Sequence, residues 1–506
     1  MQPKVMMSAM ALMATGVCAE PKFGIVEMPE HTYSGGWEHF VGGGLAVFDC
    51  DGDGLPELFA AGGAGEASLM RNRSEPGGTL RFELDTPPAL RLTSVTGAYP
   101  LDIDSDGLLD LAVLRAGENL LMRGGAECSF SPFEGLGFTS PENWTTAFSA
   151  TWEAEESLPT LAFGNYVDRS DPNGPFEACD DSALYRPEGD RYGAPMVLAP
   201  SYCPLSILFS DWGRTGRADL RMSNDRHYYV NDGHEQMWAM EATPRLYAEA
   251  DGWQNHKLWG MGIAQRDLDG DGLAEVYLTS MGDQKLQRLD LDAGGPTYTD
   301  VSYHMGTTAH RPYVGGDGRP STGWHVDFGD VQNDGQDDIF VTKGNVDQMP
   351  GLANNDPNNL LVQQPDGSFA EAGDSAGIVS FHRGRGGAMA DLNGDGLLDL
   401  AVLNRRAPLE VWQNVTPDAG HWLAVDLHQQ GANSRAVGGW IEVKAGERVY
   451  TREITVGGGH AGGRAVPEHF GLGDAATVAL RVTWPDGTQS AWMDMTADQV
   501  IRVERQ

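Results

Sequence analysis

Five nine-residue segments with one acidic pattern recur along this chain: Asp49–Glu57, Asp102–Asp110, Asp267–Glu275, Asp330–Asp338 and Asp391–Asp399. Each places side-chain oxygens at positions 1, 3, 5 and 9 and a glycine at position 6. A hard cation such as Ca²⁺ takes six to eight oxygens, and the glycine allows the sharp turn that returns position 5 and the carbonyl of position 7 to it. The expected ligands are Asp49, Asp51, Asp53, Leu55 and Glu57; Asp102, Asp104, Asp106, Leu108 and Asp110; Asp267, Asp269, Asp271, Leu273 and Glu275; Asp330, Gln332, Asp334, Gln336 and Asp338; and Asp391, Asn393, Asp395, Leu397 and Asp399. The leucines and Gln336 contribute only backbone carbonyls. About four to five Ca²⁺ ions are expected, held most tightly by the first three loops and least by 330–338.

The loops are not EF-hands, which need a bidentate Glu at position 12. Position 12 here is Ala60, Val113, Leu278, Val341 or Val402, inside an apolar, β-prone run. The metal turn therefore joins two strands. First aspartates fall at 49, 102, 267, 330 and 391, and the 165-residue gap holds two decayed units, Trp152–Thr160 and Asp211–Asp219. That makes seven units, each followed by a second hairpin signal such as Ser68–Asn72, His227–Asn231 or Asn359–Val362. Strand-rich repeats of this length predict a seven-bladed β-propeller over residues 30–413. The 66 Gly and 28 Pro fit a turn-rich, all-β chain.

A formal charge of −37 excludes a nucleic-acid partner, since no basic stripe could neutralise a phosphate backbone. Residues 1–19 read as a secretory signal: Lys4, an apolar core from Val5 to Val17, and cleavage after Ala19. That core is too short to span a bilayer, so a secreted, periplasmic or extracellular protein without a membrane span is expected. Cys50, Cys128, Cys179 and Cys203 then suit disulfides, with Cys179–Cys203 and Cys50–Cys128 the favoured pairing because the former joins the two units that lost their acidic loops.

From about Asn414 to 506 a small β-sandwich-like domain follows, with strands at His421–Leu427, Trp440–Lys444, Arg448–Thr455 and Val478–Trp484. Its motifs run in order Asn433-Ser-Arg435 with Gly438, Gly457-Gly-Gly459, His469-Phe-Gly-Leu-Gly473 and Trp484-Pro-Asp-Gly487. This order resembles an ASPIC/UnbV domain. With the FG-GAP/VCBS-type repeats before it, residues 30–504 resemble the cartilage acidic protein 1 family, as a bacterial-type member. The resemblance implies an integrin-α-like propeller with Ca²⁺ in its blade loops. His460 stands where the family usually has an aromatic, commonly Tyr. The turn Gly457–Gly463, with His460 and Arg464, is expected to dock on the propeller.

His304, His310, Arg311, Tyr313, Trp324 and His325, with His382, Arg383 and Arg385, form a candidate ligand mouth for an anion or sugar. Trp37, Trp212, Trp238, Trp253 and Trp259 are candidate stacking surfaces. No Gly-x-Ser-x-Gly, His-Glu-x-x-His, P-loop or dinucleotide pattern is present. The expected function is an extracellular adhesion or interaction module that binds protein or glycan. The alternative is a polysaccharide hydrolase or lyase using the His/Arg set.

Overall fold

The computed structural model describes residues 19–154, 156–171, 178–225, 232–308 and 317–505. Strand pairing groups residues 23–414 into seven antiparallel meanders of four strands each. Sheet one comprises Leu45–Phe48, Glu57–Ala60, Ser68–Asn72 and Phe82–Leu84. The first strands of sheets two to seven are Val95–Leu101, Asn143–Thr151, Pro204–Ser210, Gly260–Arg266, Gly323–Gly329 and Gly384–Ala390. Each first strand lies beside the next, and that of sheet seven returns to that of sheet one.

The acidic loops connect first to second strands, and position 9 begins the second strand at Glu57, Asp110, Glu275, Asp338 and Asp399. Apolar residues on both faces of these inner strands explain why they are buried end to end, as in Leu45–Phe48 and Leu111–Leu114. Neighbouring sheets share cores: Leu45, Phe59 and Met70 of sheet one pack with Leu111 and Val113 of sheet two and Ala401 of sheet seven.

Three sequence expectations shift. The repeat unit starts before residue 30, because Phe23–Ile25 is the outermost strand of sheet seven, paired with Glu410–Asn414. Three residues carry too short a period to be read as a strand. The strand expected at His227–Asn231 lies outside the described residues, and Gln236–Ala239 is the third strand of sheet four. Asn414 still belongs to sheet seven, so the second unit begins its first strand at His421.

That unit has a three-stranded sheet, Glu468–Gly473, His421–Gln429 and Gln499–Arg505, and a four-stranded sheet, Arg448–Glu453, Trp440–Ala445, Thr477–Thr483 and Met493–Thr496. Leu423, Val425 and Phe470 of one pack with Ile441, Val443, Leu480 and Val482 of the other in a single core.

Candidate metal centres and the strap between the sheets

The five loops repeat one hydrogen-bond pattern. The carboxylate at position 1 accepts the N–H of the position-6 glycine: Gly54 to Asp49 at 2.9 Å, Gly107 to Asp102 at 2.8 Å, Gly272 to Asp267 at 3.0 Å, Gly335 to Asp330 at 2.6 Å and Gly396 to Asp391 at 2.8 Å. These glycines have φ of +85° to +90°, a region that penalises a Cβ. Position 4 is also left-handed, with Ser105 and Asn333 at φ +58°. Position 9 accepts the N–H of position 2, from Cys50 to Glu57 at 3.1 Å and from Leu392 to Asp399 at 2.9 Å. The turn thus fixes the side chains at positions 1 and 9.

Oxygens of Asp49, Asp51 and Asp53 lie within 4.8 Å of one another, as do those of Asp102, Asp104 and Asp110 and of Asp267, Asp269 and Asp271. Ligands 2.3–2.6 Å from one Ca²⁺ sit at most roughly 5 Å apart. Buried Asp51 Oδ1, Glu57 Oε1, Asp104 Oδ1 and Gln332 Oε1 accept no hydrogen bond, so polar capacity is left over at the places a cation would fill. Burial, reinforced by neighbouring carboxylates, pushes Glu57 up to about 7, Asp110 to about 8, Asp267 to about 6, Glu275 to about 7 and Asp391 to about 6. Asp330, Asp338 and Asp399 are raised for the same reason. A bound dication inverts that balance and favours the ionised forms. The residues therefore fit Ca²⁺.

The structure adds a component absent from the sequence pattern. In each four-carboxylate loop, an arginine on the third strand reaches in. Arg71 pairs with Asp51 and, at 3.5 Å, Glu57; Arg123 lies 2.8 Å from Asp104; Arg288 lies 2.8 Å from Glu275. Among the described residues no basic side chain pairs with Asp330, Asp334, Asp338, Asp391, Asp395 or Asp399, where Gln332 or Asn393 replaces one carboxylate. Counting only the side chains at positions 1, 3, 5 and 9, four carboxylates with one guanidinium, or three with none, leave each ligand set at formal charge −3; Asp337, at position 8 of loop 330–338, pairs separately with Arg452 and Arg266.

Of the two decayed units, 211–219 keeps the turn, and both place a basic side chain on an acid. Asp211 still accepts Gly216 N–H at 2.7 Å, while Arg217, Trp212 and Tyr247 converge on Asp219. In the other, Arg186 and Thr160 bind Glu153, each at 2.8 Å. Both favoured disulfides form. Cys50–Cys128 ties loop 49–57 to sheet two, and Cys179–Cys203 ties sheet three to sheet four.

The Gly-rich turn does more than dock on a surface. Residues 456–464 run through the space ringed by the first strands and hydrogen-bond to all seven. Val47 N–H donates to Gly463 O (3.1 Å), Ala98 N–H to Ala461 O (3.1 Å) and Ala150 N–H to Val456 O (3.1 Å). Gly458 and Gly459 donate to Ile207 O and Ile263 O (2.8 and 2.7 Å), His460 N–H to His325 Nδ1 (3.1 Å) and Arg464 Nη1 to Met389 O (2.8 Å). A Cβ on Gly44 or Gly97 would stand 1.7 Å from Ala461 O, so glycine there is a condition for the strap's passage. The rest of the C-terminal unit sits over the acidic-loop ends. Ser434 Oγ bonds Asp102, Asn433 N–H donates to Ser105 Oγ (3.0 Å), Gly420 N–H to Gln332 O (2.9 Å) and Gly473 N–H to Asn333 O (2.8 Å).

Of the described members of the His/Arg set, Arg385 stacks 3.9 Å over the Trp324 ring, whereas the histidines occupy separate places. His304 is exposed on the short helix Ser302–Met305 outside sheet five. His325 is buried against the strap and Asp327, and His382 pairs with Glu410 at 3.4 Å. Arg383 pairs with Asp347 at 3.5 Å. His310, Arg311 and Tyr313 lie outside the described residues. Of the tryptophans, Trp238 and Trp253 are core and only Trp37 is well exposed. Among the described residues, no helix is long and apolar enough to cross a membrane; the expected signal segment, up to residue 18, lies outside them.

Residues 429–506 match the family model of ASPIC and UnbV, and residues 49–113 match that of the FG-GAP-like repeat. Cartilage acidic protein 1 of Mus musculus is 25% identical over 233 residues, 45% of this chain and 34% of that protein. The Homo sapiens protein is 27% identical over 233 residues, 45% of this chain and 33% of that protein. The Xenopus tropicalis protein is 35% identical over 109 residues, 21% of this chain and 17% of that protein. The matches thus span a third or less of these relatives.

Proposed function

The chain belongs to the cartilage acidic protein 1 family, and from that premise we propose that it is an extracellular, calcium-stabilised, seven-bladed β-propeller that binds a protein or glycan partner. The observation that carries this reading is the five-fold repetition of one loop geometry, with clustered carboxylate oxygens in three of the loops. The seven four-stranded meanders, with first strands adjoining in a ring, support the propeller. Two disulfides suit an oxidising compartment.

Calcium would be held by the side chains at positions 1, 3, 5 and 9 and the carbonyl at position 7. Its contribution is to neutralise buried carboxylates and fix the turn between first and second strands, so that the faces of the sheets are presented rigidly. Partner binding is then a property of the loops and outer strands this frame holds in place.

The test is a glycan and extracellular-protein array probed with the full chain in millimolar calcium and in EGTA, beside a turnover screen on anionic polysaccharides. Saturable binding lost in EGTA, with no turnover, is expected. Polysaccharide cleavage would instead favour the hydrolase or lyase alternative. Mass spectrometry under native conditions should count at least three calcium ions per chain.

A further inference from the structure

The ends of the strands opposite the acidic loops enclose a cavity of about 440 Å³. Its wall carries Trp37, Phe40, Met261, Met281 and Trp324, from the segments before sheet one and around the strand ends of sheets five and six. The strap backs two of these wall residues. His460 packs edge-on against Trp324 with ring centroids 4.9 Å apart, and its Nδ1 lies 3.1 Å from Met261 O. The cavity is apolar over most of its wall and large enough for a small organic molecule.

A cluster of guanidiniums stands beside its lining residue Asp347. Arg405, Arg383 and Arg406 all approach one oxygen, Asp347 Oδ1, at 3.0, 3.5 and 3.7 Å. A fourth guanidinium, that of buried Arg385, stacks 3.9 Å over the Trp324 ring. One carboxylate thus serves three arginines, beside a fourth that donates to backbone carbonyls, in a chain of formal charge −37. Asp347 and Arg406 line the cavity and are half exposed. Asp225 also lines it, with Tyr166 donating to its carboxylate at 2.5 Å.

We propose that this cavity binds an amphipathic organic anion, with its apolar body against Trp37, Phe40, Met261 and Trp324 and its carboxylate or sulfonate on Arg383 and Arg406, where it takes the place of Asp347. A planar guanidinium pairs with a carboxylate through two parallel hydrogen bonds, and an aromatic wall accepts a flat or branched hydrocarbon. This site is independent of calcium and of the macromolecular partner proposed above.

The full chain in millimolar calcium should be titrated calorimetrically with naphthoate, naphthylmethanol and naphthylmethylamine. These share one apolar body and differ in charge. Naphthoate is expected to bind once per chain and at least tenfold more tightly than the alcohol. The double variant Arg383→Gln, Arg406→Gln should lose that preference while leaving the melting temperature within a few degrees. Asp347→Asn should tighten naphthoate binding several-fold, since a competing carboxylate has gone; a purely structural role for Asp347 gives the opposite sign. Val346→Trp, which fills the pocket, should abolish binding. Equal binding of acid and alcohol, preference for the amine (the result if Asp225 dominates), binding retained in Val346→Trp, or no binding of any probe overturns the proposal.

Discussion

His460 is fully buried among the first strands, and burial together with the neighbouring Arg385 and His325 pushes its imidazole down to about 3. In the unfolded chain it titrates near 6.5. A depressed folded value means that the unfolded state binds the extra proton between those limits, so its stabilising effect is complete above about pH 6.5 and is lost as pH falls toward 3. His460→Asn should therefore flatten the fall in melting temperature between pH 6.5 and 4.5 relative to the parent chain; parallel curves would remove His460 as the cause. At the metal loops, Arg288→Gln should raise calcium affinity at 267–275 several-fold, because a guanidinium close to Asp269 and Glu275 repels the ion. Weaker binding would mean instead that Arg288 shapes the site. The five acidic turns are legible in the sequence because a nine-residue turn is local. The arginines are not, since which third-strand residue faces the loop depends on strand register, as with Leu58 opposite Met70 placing Arg71. His460 reads as a departure from a family pattern, and only the tertiary structure assigns it a partner in His325.

The strap and the strands it crosses depend on one another as elements. Three of its five glycines have positive φ, +139° at Gly457, +70° at Gly458 and +57° at Gly459, and its backbone supplies donors and acceptors that the first strands would otherwise leave unpaired at the centre. Gly97→Ala keeps an allowed backbone but drives a methyl into Ala461 O. Overpacking of this kind costs about 1–3 kcal/mol, and the strap is the movable party. The expected outcome is faster hydrogen exchange at residues 456–465 with the seven sheets still protected. Unchanged exchange there would mean the strap tolerates the methyl by a shift of its path. The sequence makes docking of Gly457–Gly463 legible, since a glycine run between strands allows close backbone approach. It cannot reveal a passage through the ring, because that needs Gly44 and Gly97 on two other strands, each unremarkable in its own segment. The strand Phe23–Ile25 is hidden for a related reason: its partner, Glu410–Asn414, is at the far end of the repeats.

At the scale of the whole molecule, the acidic loops and the C-terminal unit meet on one face. Each site that binds Ca²⁺ at a hundred times its dissociation constant adds ~2.7 kcal/mol. Four or five sites together are on the order of 10 kcal/mol, comparable with a domain's net stability. Chelation should therefore lower the melting temperature of the full chain greatly. The geometry makes a sharper distinction between single loops. Loop 330–338 hydrogen-bonds the C-terminal unit through Gln332 O and Asn333 O. Loop 267–275 makes no hydrogen bond to that unit among the described residues. Asp334→Ala and Asp271→Ala each remove a position-5 carboxylate, and each should lose one ion by native mass spectrometry. Only Asp334→Ala should also speed hydrogen exchange along His421–Gln429 and Glu468–Gly473, because the turn carrying Gln332 and Asn333 loses the cation that fixes it. Equal effects of the two variants on those strands would show that the C-terminal unit senses global stability and not the loop beneath it.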